Sequence, residues 1–493
     1  MRSEEESKID QLSSAEQGWA DFERFVTQEM SSFFDAEGPI VGARAPGRLD
    51  VMGGVADYSG SIVLEMPIEE AAYVAWQWRD DRILHIRSVS TNLQDEDRDV
   101  SISLDVMLDP DGRIRTPEEV NRSLTSNAET RWAAYVAGCF YIMLSAYGRV
   151  AQGKADSRLG ERGANILLRS EVPQGGGVSS SAAIEVATMH ALSDAAGIHP
   201  SDLTLAAWCQ RVENQIVGAP CGIMDQVTCA LGEKDSLLAL RCQPHDLLGS
   251  YRAPAGWKFI GIDSRVKHSV GGSNYTRARI AAFMGLKVIQ LESGGQLLEN
   301  YLCRMSAAEF AAYRELIPET LTGADYRKLY GQLPDTVTKV DLEETYHPRL
   351  AAEHPILENE RARAFIGLMH LADLRREETG MLDLGILKEA GSLMLESHKS
   401  YSDRLDLGSP ETDLLVDLIM QQGHDSGFYG ARITGGGSGG TVAVLANSEN
   451  SQYSSALESI CKRYEMQTGN TPRLFVGSSP GAVAFGSRLI LRG

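Results

Sequence analysis

Positive charge is scarce in this 493-residue chain: 47 lysines and arginines stand against 67 aspartates and glutamates, a net charge of −20. So acidic a chain repels phosphate backbones and anionic lipid, which argues against a nucleic-acid reader or a membrane-surface protein. Its seven cysteines are an odd number with no C-x-x-C pair, and its ten histidines contain no H-E-x-x-H. A disulfide framework and those zinc sites are thereby set aside, and reduced thiols in a cytoplasmic protein are expected. No apolar run reaches the length of about 18 residues that a membrane span needs. The opening MRSEEESKID is too acidic and polar for a secretory leader. Internal repeats and low-complexity tracts are also missing.

What is present is an ordinary globular composition, 43% hydrophobic and 23% charged, in a chain long enough for two domains. Apolar residues recur at helical spacing over 14–34, and Ser13 or Ser14 can cap that helix. Strands are expected around a tight loop at 40–54, then at 62–78 and 83–89, with polar loop and edge strand over 92–127. A helix at 129–147, a strand at 164–170 and helices at 182–196 and 201–217 follow. Strands are expected at 236–242 and 257–263, with a boundary near 250 dividing residues 1–250 from 251–493. The second half reads as mostly helical (276–291, 306–316, 358–376, 385–399, 410–421) and ends in strands at 429–434, 440–445 and 472–476 around a helix at 450–466. Grouped rather than alternating strands and helices predict two α+β domains, not a doubly wound sheet.

Three loops carry chemistry. Pro173-Gln174-Gly175-Gly176-Gly177-Val178-Ser179-Ser180-Ser181 lies between a predicted strand and helix. Its glycines allow close backbone approach, and its serines fall where unpaired helix N–H groups attract anions, as nucleotide phosphates require. A plain Gly/Ser turn is the bland alternative. The second loop, Glu213 to Gln226, places Asp225 beside apolar neighbours, where a carboxylate can bind Mg²⁺ or orient a hydroxyl, or merely cap a helix. The third, Arg44 to Tyr58, embeds Arg48, Asp50 and Asp57 among small and apolar residues; surface ion pairing is its alternative. Gly148–Ala155 falls short of a P-loop because it ends in Ala155, without the metal-binding hydroxyl. The Gly435–Gly440 run suits a hairpin-like loop packed close to another backbone or ligand better than a dinucleotide site.

Taken in order, Ala45-Pro46-Gly47-Arg48, the 173–183 loop and Gly430–Gly440 resemble the GHMP kinases. Gly218–Gln226 (GAPCGIMDQ), the pattern Arg265, Val266, Lys267, His268, Ser269 and Tyr275, the segment Trp132–Val136, and Ser397-His398 with Pro410-Glu411 resemble the galactokinase branch. The resemblance covers about residues 40–490. It implies a two-domain α+β fold with the active site between the domains and an ATP-dependent sugar kinase requiring Mg²⁺. Ser181 and Glu213 would hold the metal, and Pro173 and the backbone of Gly175, Gly176, Gly177, Ser179 and Ser180 the phosphates. Trp132 and Tyr135 would line the adenine pocket. Asp225 would face the anomeric hydroxyl, steadied by Arg48, and Asp57, Tyr275 and Gly222 would hold the sugar. No nucleic acid, membrane or obligate protein partner is implied.

One departure bears on the substrate. Galactokinases continue the first motif as G-E-H-T-D-Y, with Glu and His beside the sugar's C6 group; here Gly54 and Val55 replace them. A C6 hydroxyl would be left without partners at a cost of about 1–3 kcal/mol. L-Arabinopyranose has galactose's ring stereochemistry without C6. DVMGGVADYSGS, and HPILENERARAF after an insertion at about 285–352, resemble the plant L-arabinokinases. The expectation is therefore an L-arabinose 1-kinase. A galactokinase is the alternative, and a non-catalytic sugar- and ATP-binding regulator is a third reading that the intact Ser179–Ser181, Glu213 and Asp225 disfavour.

Overall fold

The computed structural model describes residues 13–90, 97–147, 159–243, 245–266, 273–295 and 301–491. The strands are β1 (Ile40–Met52), β2 (Ile62–Trp78), β3 (Ile83–Val89), β4 (Arg98–Ser103), β5 (Ala164–Ser170), β6 (Ser236–Arg241), β7 (Asp246–Arg252), β8 (Trp257–Asp263), β9 (Leu321–Thr322), β10 (Thr345–Tyr346), β11 (Phe428–Ile433), β12 (Thr441–Asn447), β13 (Arg473–Phe475) and β14 (Arg488–Ile490). They form an eight-stranded sheet, a four-stranded antiparallel sheet ordered β11-β12-β8-β13, and the β9–β10 pair. The large sheet runs β14-β1-β2-β5-β3-β4. Long β2 pairs β6 through its first residues and β5 through its last, while β1 lies along its other edge.

Several expectations change. β1 is one continuous, wholly buried strand rather than short strands about a loop. Its irregularity is absorbed by register shifts between Pro46 and Arg48 and between Asp50 and Met52. Such bulges re-aim side chains, and these fall on either side of Arg48 and Asp50. Within 92–127 the Pro117–Thr125 helix is also present, closed at its start by a Thr116–Glu119 capping box. Ser250 lies inside β7, and the chain passes to the second sheet through the turn between Arg252 and Trp257. β14 then returns to pair with β1, so the last described strand belongs to the first sheet.

The largest core lies between the eight-stranded sheet and the Ala134–Tyr147, Ser180–Ala196 and Asp202–Arg211 helices. A second core joins Val55 and Tyr58 to the Ser273–Glu292 and Pro348–Thr379 helices, and to Leu302, Phe310, Ile317, Tyr326 and Tyr346 of the insertion. The insertion is therefore packed behind the 53–58 loop. The Pro348–Thr379 helix begins ten residues before the expected 358, because Pro348 can take the first helical position. The opening segment, the Gly148–Ala155 stretch and Lys267, His268 and Ser269 lie outside the described residues.

Candidate active site

A cleft of about 980 Å³ opens between the two sheets. It is lined by Arg48, Val55 and Asp57 from the first loop, Pro173 to Gly177 and Ser179 to Ser181 from the second, and Glu213, Gly222 and Asp225 from the third. Trp132, Tyr135, Tyr275, Gly435 and Gly436 complete the wall. Segments more than 350 residues apart thus meet in one cavity, the convergence expected of a ligand site.

Arg48 is the hub. Its Nη2 lies 2.8 Å and its Nε 2.9 Å from Asp225 Oδ1, its Nη1 donates to the Gly177 carbonyl at 2.7 Å, and Nε lies 3.2 Å from Glu65 Oε2. Arg48 is 3% and Glu65 0% exposed, so the guanidinium is held between a buried carboxylate and the cleft. Asp225 is the second residue of the Met224–Leu231 helix and makes no capping hydrogen bond, which removes the cap alternative. Its side chain is 24% exposed, open to the cleft.

The phosphate loop is strapped from both sides. Arg48 N–H donates to the Val178 carbonyl, and Thr441 Oγ1 donates to the Gly176 carbonyl at 2.7 Å. Gly175, Gly177 and Ser179 all have positive φ, which turns the chain sharply into the Ser180–Ala196 helix. Among the described residues, the buried Ser179 and Ser180 hydroxyls have no hydrogen-bond partner. Unpaired donors at a helix N-terminus suit an anion with several acceptor oxygens.

Glu213 is buried beside Ser181 and accepts from Gln226 Nε2 at 2.9 Å. Burial first, and the Asp225 charge second, push its carboxyl up to about 7. A hydroxyl and a carboxylate oxygen facing a phosphate loop suit a hard divalent cation that draws its other ligands from phosphate and water. Among the described residues no group of three or more His, Cys, Asp or Glu side chains could hold a metal alone.

Asp57 lines the cleft together with Gly222 and Tyr275. It is 5% exposed, and burial together with the Asp225 charge pushes its carboxyl up to about 6 against the pull of Arg279. A Cβ at Gly222 would stand 1.4 Å from Asp57 Oδ2, so only glycine lets the two loops meet. Tyr275 packs edge-on against Tyr58, with ring centroids 6.3 Å apart.

Gly54 is not at the cleft wall. Its missing Cβ would stand 1.9 Å from Asp50 Oδ2 and 2.1 Å from the Tyr401 hydroxyl, deep in protein. Of the Gly54-Val55 departure, only Val55 reaches the cavity. Asp50 is likewise structural: it forms a fully buried 2.8 Å ion pair with Arg432 Nη1 and accepts from Gly435 N–H, joining the first loop to the glycine hairpin. Sequence reasoning missed Glu65 and Arg279, and it gave Gln226, though inside the second loop, no role. Glu65 and Arg279 lie far from their partners Arg48 and Asp335 in sequence, and no local pattern marks them.

Family models match three stretches: the galactokinase galactose-binding signature at 29–77, the GHMP kinases N terminal domain at 135–233 and the GHMP kinases C terminal domain at 382–464. The chain is 38% identical to L-arabinokinase of Arabidopsis thaliana over 93% of its own length, and spans about half (47%) of that protein. It is 31% identical to galactokinase of Chloroflexus aggregans, with 90% of this chain and 92% of that one covered. Lactococcus lactis galactokinase, solved in complex with galactose, shares the fold at a TM-score of 0.68 and 21% identity, covering 94% of this chain and 98% of that one. The glycine-rich 173–181 loop, the adjacent Ser181 and Glu213 oxygens and the Arg-held carboxylate agree with these relationships, and the chain belongs to the GHMP kinase family, among its galactokinase-like sugar kinases.

Proposed function

We propose that this sugar kinase transfers the γ-phosphoryl group of ATP to the anomeric hydroxyl of L-arabinose. The observation that carries the substrate is Val55: this cleft-lining residue, 1% exposed, offers a C6 hydroxyl no polar side chain at the end of the cleft where Asp57 stands. The similarity to an L-arabinokinase supports the same reading. The galactose-binding signature and the 31% identity to a galactokinase favour a second, D-galactose.

In this mechanism Asp57, Tyr275 and the Gly222 backbone orient the sugar. Asp225 receives the anomeric proton as the hydroxyl oxygen bonds to the γ-phosphorus and the bond to the ADP oxygen breaks. Arg48 fixes Asp225 and balances charge on the moving phosphoryl group. The backbone of the 175–180 loop and the Ser179 and Ser180 hydroxyls cradle the phosphates, with Trp132 and Tyr135 beside the base. Ser181 and Glu213 would hold Mg²⁺, which neutralises phosphate charge when bound.

A coupled assay of ADP release with L-arabinose, D-galactose, D-galacturonate or no sugar tests the assignment. L-Arabinose should lead D-galactose in kcat/KM by roughly tenfold to a few hundredfold, the modest range of a pocket that lacks partners without blocking sterically. Equal or better turnover of D-galactose overturns the arabinose reading.

A further inference from the structure

Val55 has φ of 53°, a left-handed conformation that a β-branched residue rarely adopts. Such strain persists only where the surroundings over-determine it. The backbone on its N-terminal side shows what holds it. Gly53 N–H donates to Glu358 Oε1 at 3.1 Å, and the Gly54 carbonyl lies 3.1 Å from His354 Nε2. A carbonyl only accepts, so Nε2 carries the proton, and Nδ1 accepts from the Ser400 hydroxyl at 2.8 Å. Glu358 is fixed in turn by Ser397 Oγ at 2.6 Å and by Arg361. One residue further along the same helix, Asn359 Oδ1 accepts from Ile62 N–H at 2.9 Å, so both ends of the 53–62 segment are tied to one helix. Asp50, Tyr401 and Arg432 crowd Gly54 and leave its peptide no room to turn.

We propose that His354 and Glu358, one turn apart on the Pro348–Thr379 helix, are specificity-determining positioning residues: they clamp the Gly53–Gly54 backbone and so press Val55 into the wall of the sugar site. The proposal rests on the sugar-kinase reading above. Both side chains are fully buried and polar, and both hydrogen-bond to backbone of a segment that has no strand partner of its own. Burying an imidazole and a carboxylate there is costly unless these bonds are made. Neither residue touches the cleft, so their effect on the sugar passes through the loop.

The test is steady-state kinetics of wild type, His354→Ala, His354→Gln, Glu358→Gln and Val55→Gly on L-arabinose and D-galactose, with a melting curve for each. His354→Ala should raise the sugar KM by about tenfold or more while ATP KM stays within about twofold, and should shrink the ratio of kcat/KM for the two sugars by a similar factor. His354→Gln, which keeps a donor, should recover part of that loss, and Glu358→Gln should weaken selectivity less than His354→Ala. Val55→Gly accepts the positive φ but removes a core side chain; it should lose the same selectivity while still melting cooperatively, at a somewhat lower temperature. If His354→Ala does not fold, Glu358→Gln and Val55→Gly decide. Equal losses on both sugars with ATP KM rising in step, or an unchanged sugar ratio in Val55→Gly, overturn the clamp. A wild type that prefers D-galactose sinks the substrate reading alone, because the split between sugar KM and ATP KM is then read on D-galactose.

Discussion

The Arg48 guanidinium lies 3.2 Å from Glu65, a carboxyl with no exposure that burial and the Asp50 charge push well above its ordinary value. Arg48→Ala should abolish turnover and also lower stability by about 1–3 kcal/mol, because it leaves Glu65 and the Gly177 carbonyl without their buried donor. Asp225→Asn keeps shape and leaves Glu65 paired; it should keep the melting temperature nearly unchanged while turnover falls at least about a hundredfold. Asp57, pushed up to about 6, gives a pH signature. On the proposed function its charged form would accept from the sugar, so kcat/KM for the sugar should fall below about pH 6, and Asp57→Asn should lose the Asp57 part of that acid limb along with much of the affinity. The stability sign is opposite. The folded chain holds this proton more tightly than the unfolded one, so the Asp57 contribution is present below about pH 4 and is lost as pH rises through about 6. Gly54→Glu, which looks like a route to galactose specificity on paper, should instead destabilise the fold, since its Cβ would overlap Asp50 and Tyr401.

Among the elements, the Pro348–Thr379 helix and the insertion before it do more for the site than their distance in sequence suggests. Burial opposes the Glu358 charge, but Arg361 and Arg432, with the Ser397 hydrogen bond, outweigh it and hold the carboxyl down at about 2. A carboxyl whose folded value lies below its ordinary 4.5 adds stability above that pH and loses it as pH falls toward 2. The difference corresponds to about 3 kcal/mol at neutral pH. Glu358→Gln should cost roughly that much in urea unfolding at pH 7, with the gap to wild type narrowing in acid. Asp335, in the insertion, forms a buried ion pair with Arg279 at 3.0 Å, and Arg279 stacks over Tyr58 and reaches the Cys221 carbonyl at 3.4 Å. Asp335→Ala should leave Arg279 unpaired, lower stability by about 3–5 kcal/mol and raise sugar KM more than ATP KM.

For the whole molecule, the sequence made legible what depends on local pattern. The strands at 62–78, 83–89, 164–170 and 257–263 emerge with the bounds their apolar runs imply, because each run is bracketed by polar or turn-forming residues. The phosphate loop, Glu213, Asp225 and Asp57 were readable as polar residues in glycine-rich breaks, and all of them line one cleft. Illegible were pairings across the chain: Asp50 with Arg432, Arg48 with Glu65, and His354 with the Gly54 carbonyl. Each joins segments whose meeting is decided by sheet order and not by neighbours in sequence. The position of Gly54 shows the same limit, since an aligned motif cannot reveal which way a Cα faces. The two sheets are joined by Asp50–Arg432 and by Thr441 donating to the Gly176 carbonyl, while Arg48 ties the same loop to the first sheet.

Phosphorus NMR of the products formed from ATP and L-arabinose decides whether Asp225 governs phosphoryl transfer to an anomeric hydroxyl. One new sugar-phosphate resonance, coupled to the anomeric proton, should grow in step with ADP and be nearly absent with Asp225→Asn. ADP formation that does not depend on sugar, a phosphate on any other hydroxyl, or an Asp225→Asn enzyme that keeps more than about a tenth of wild-type turnover would contradict that assignment.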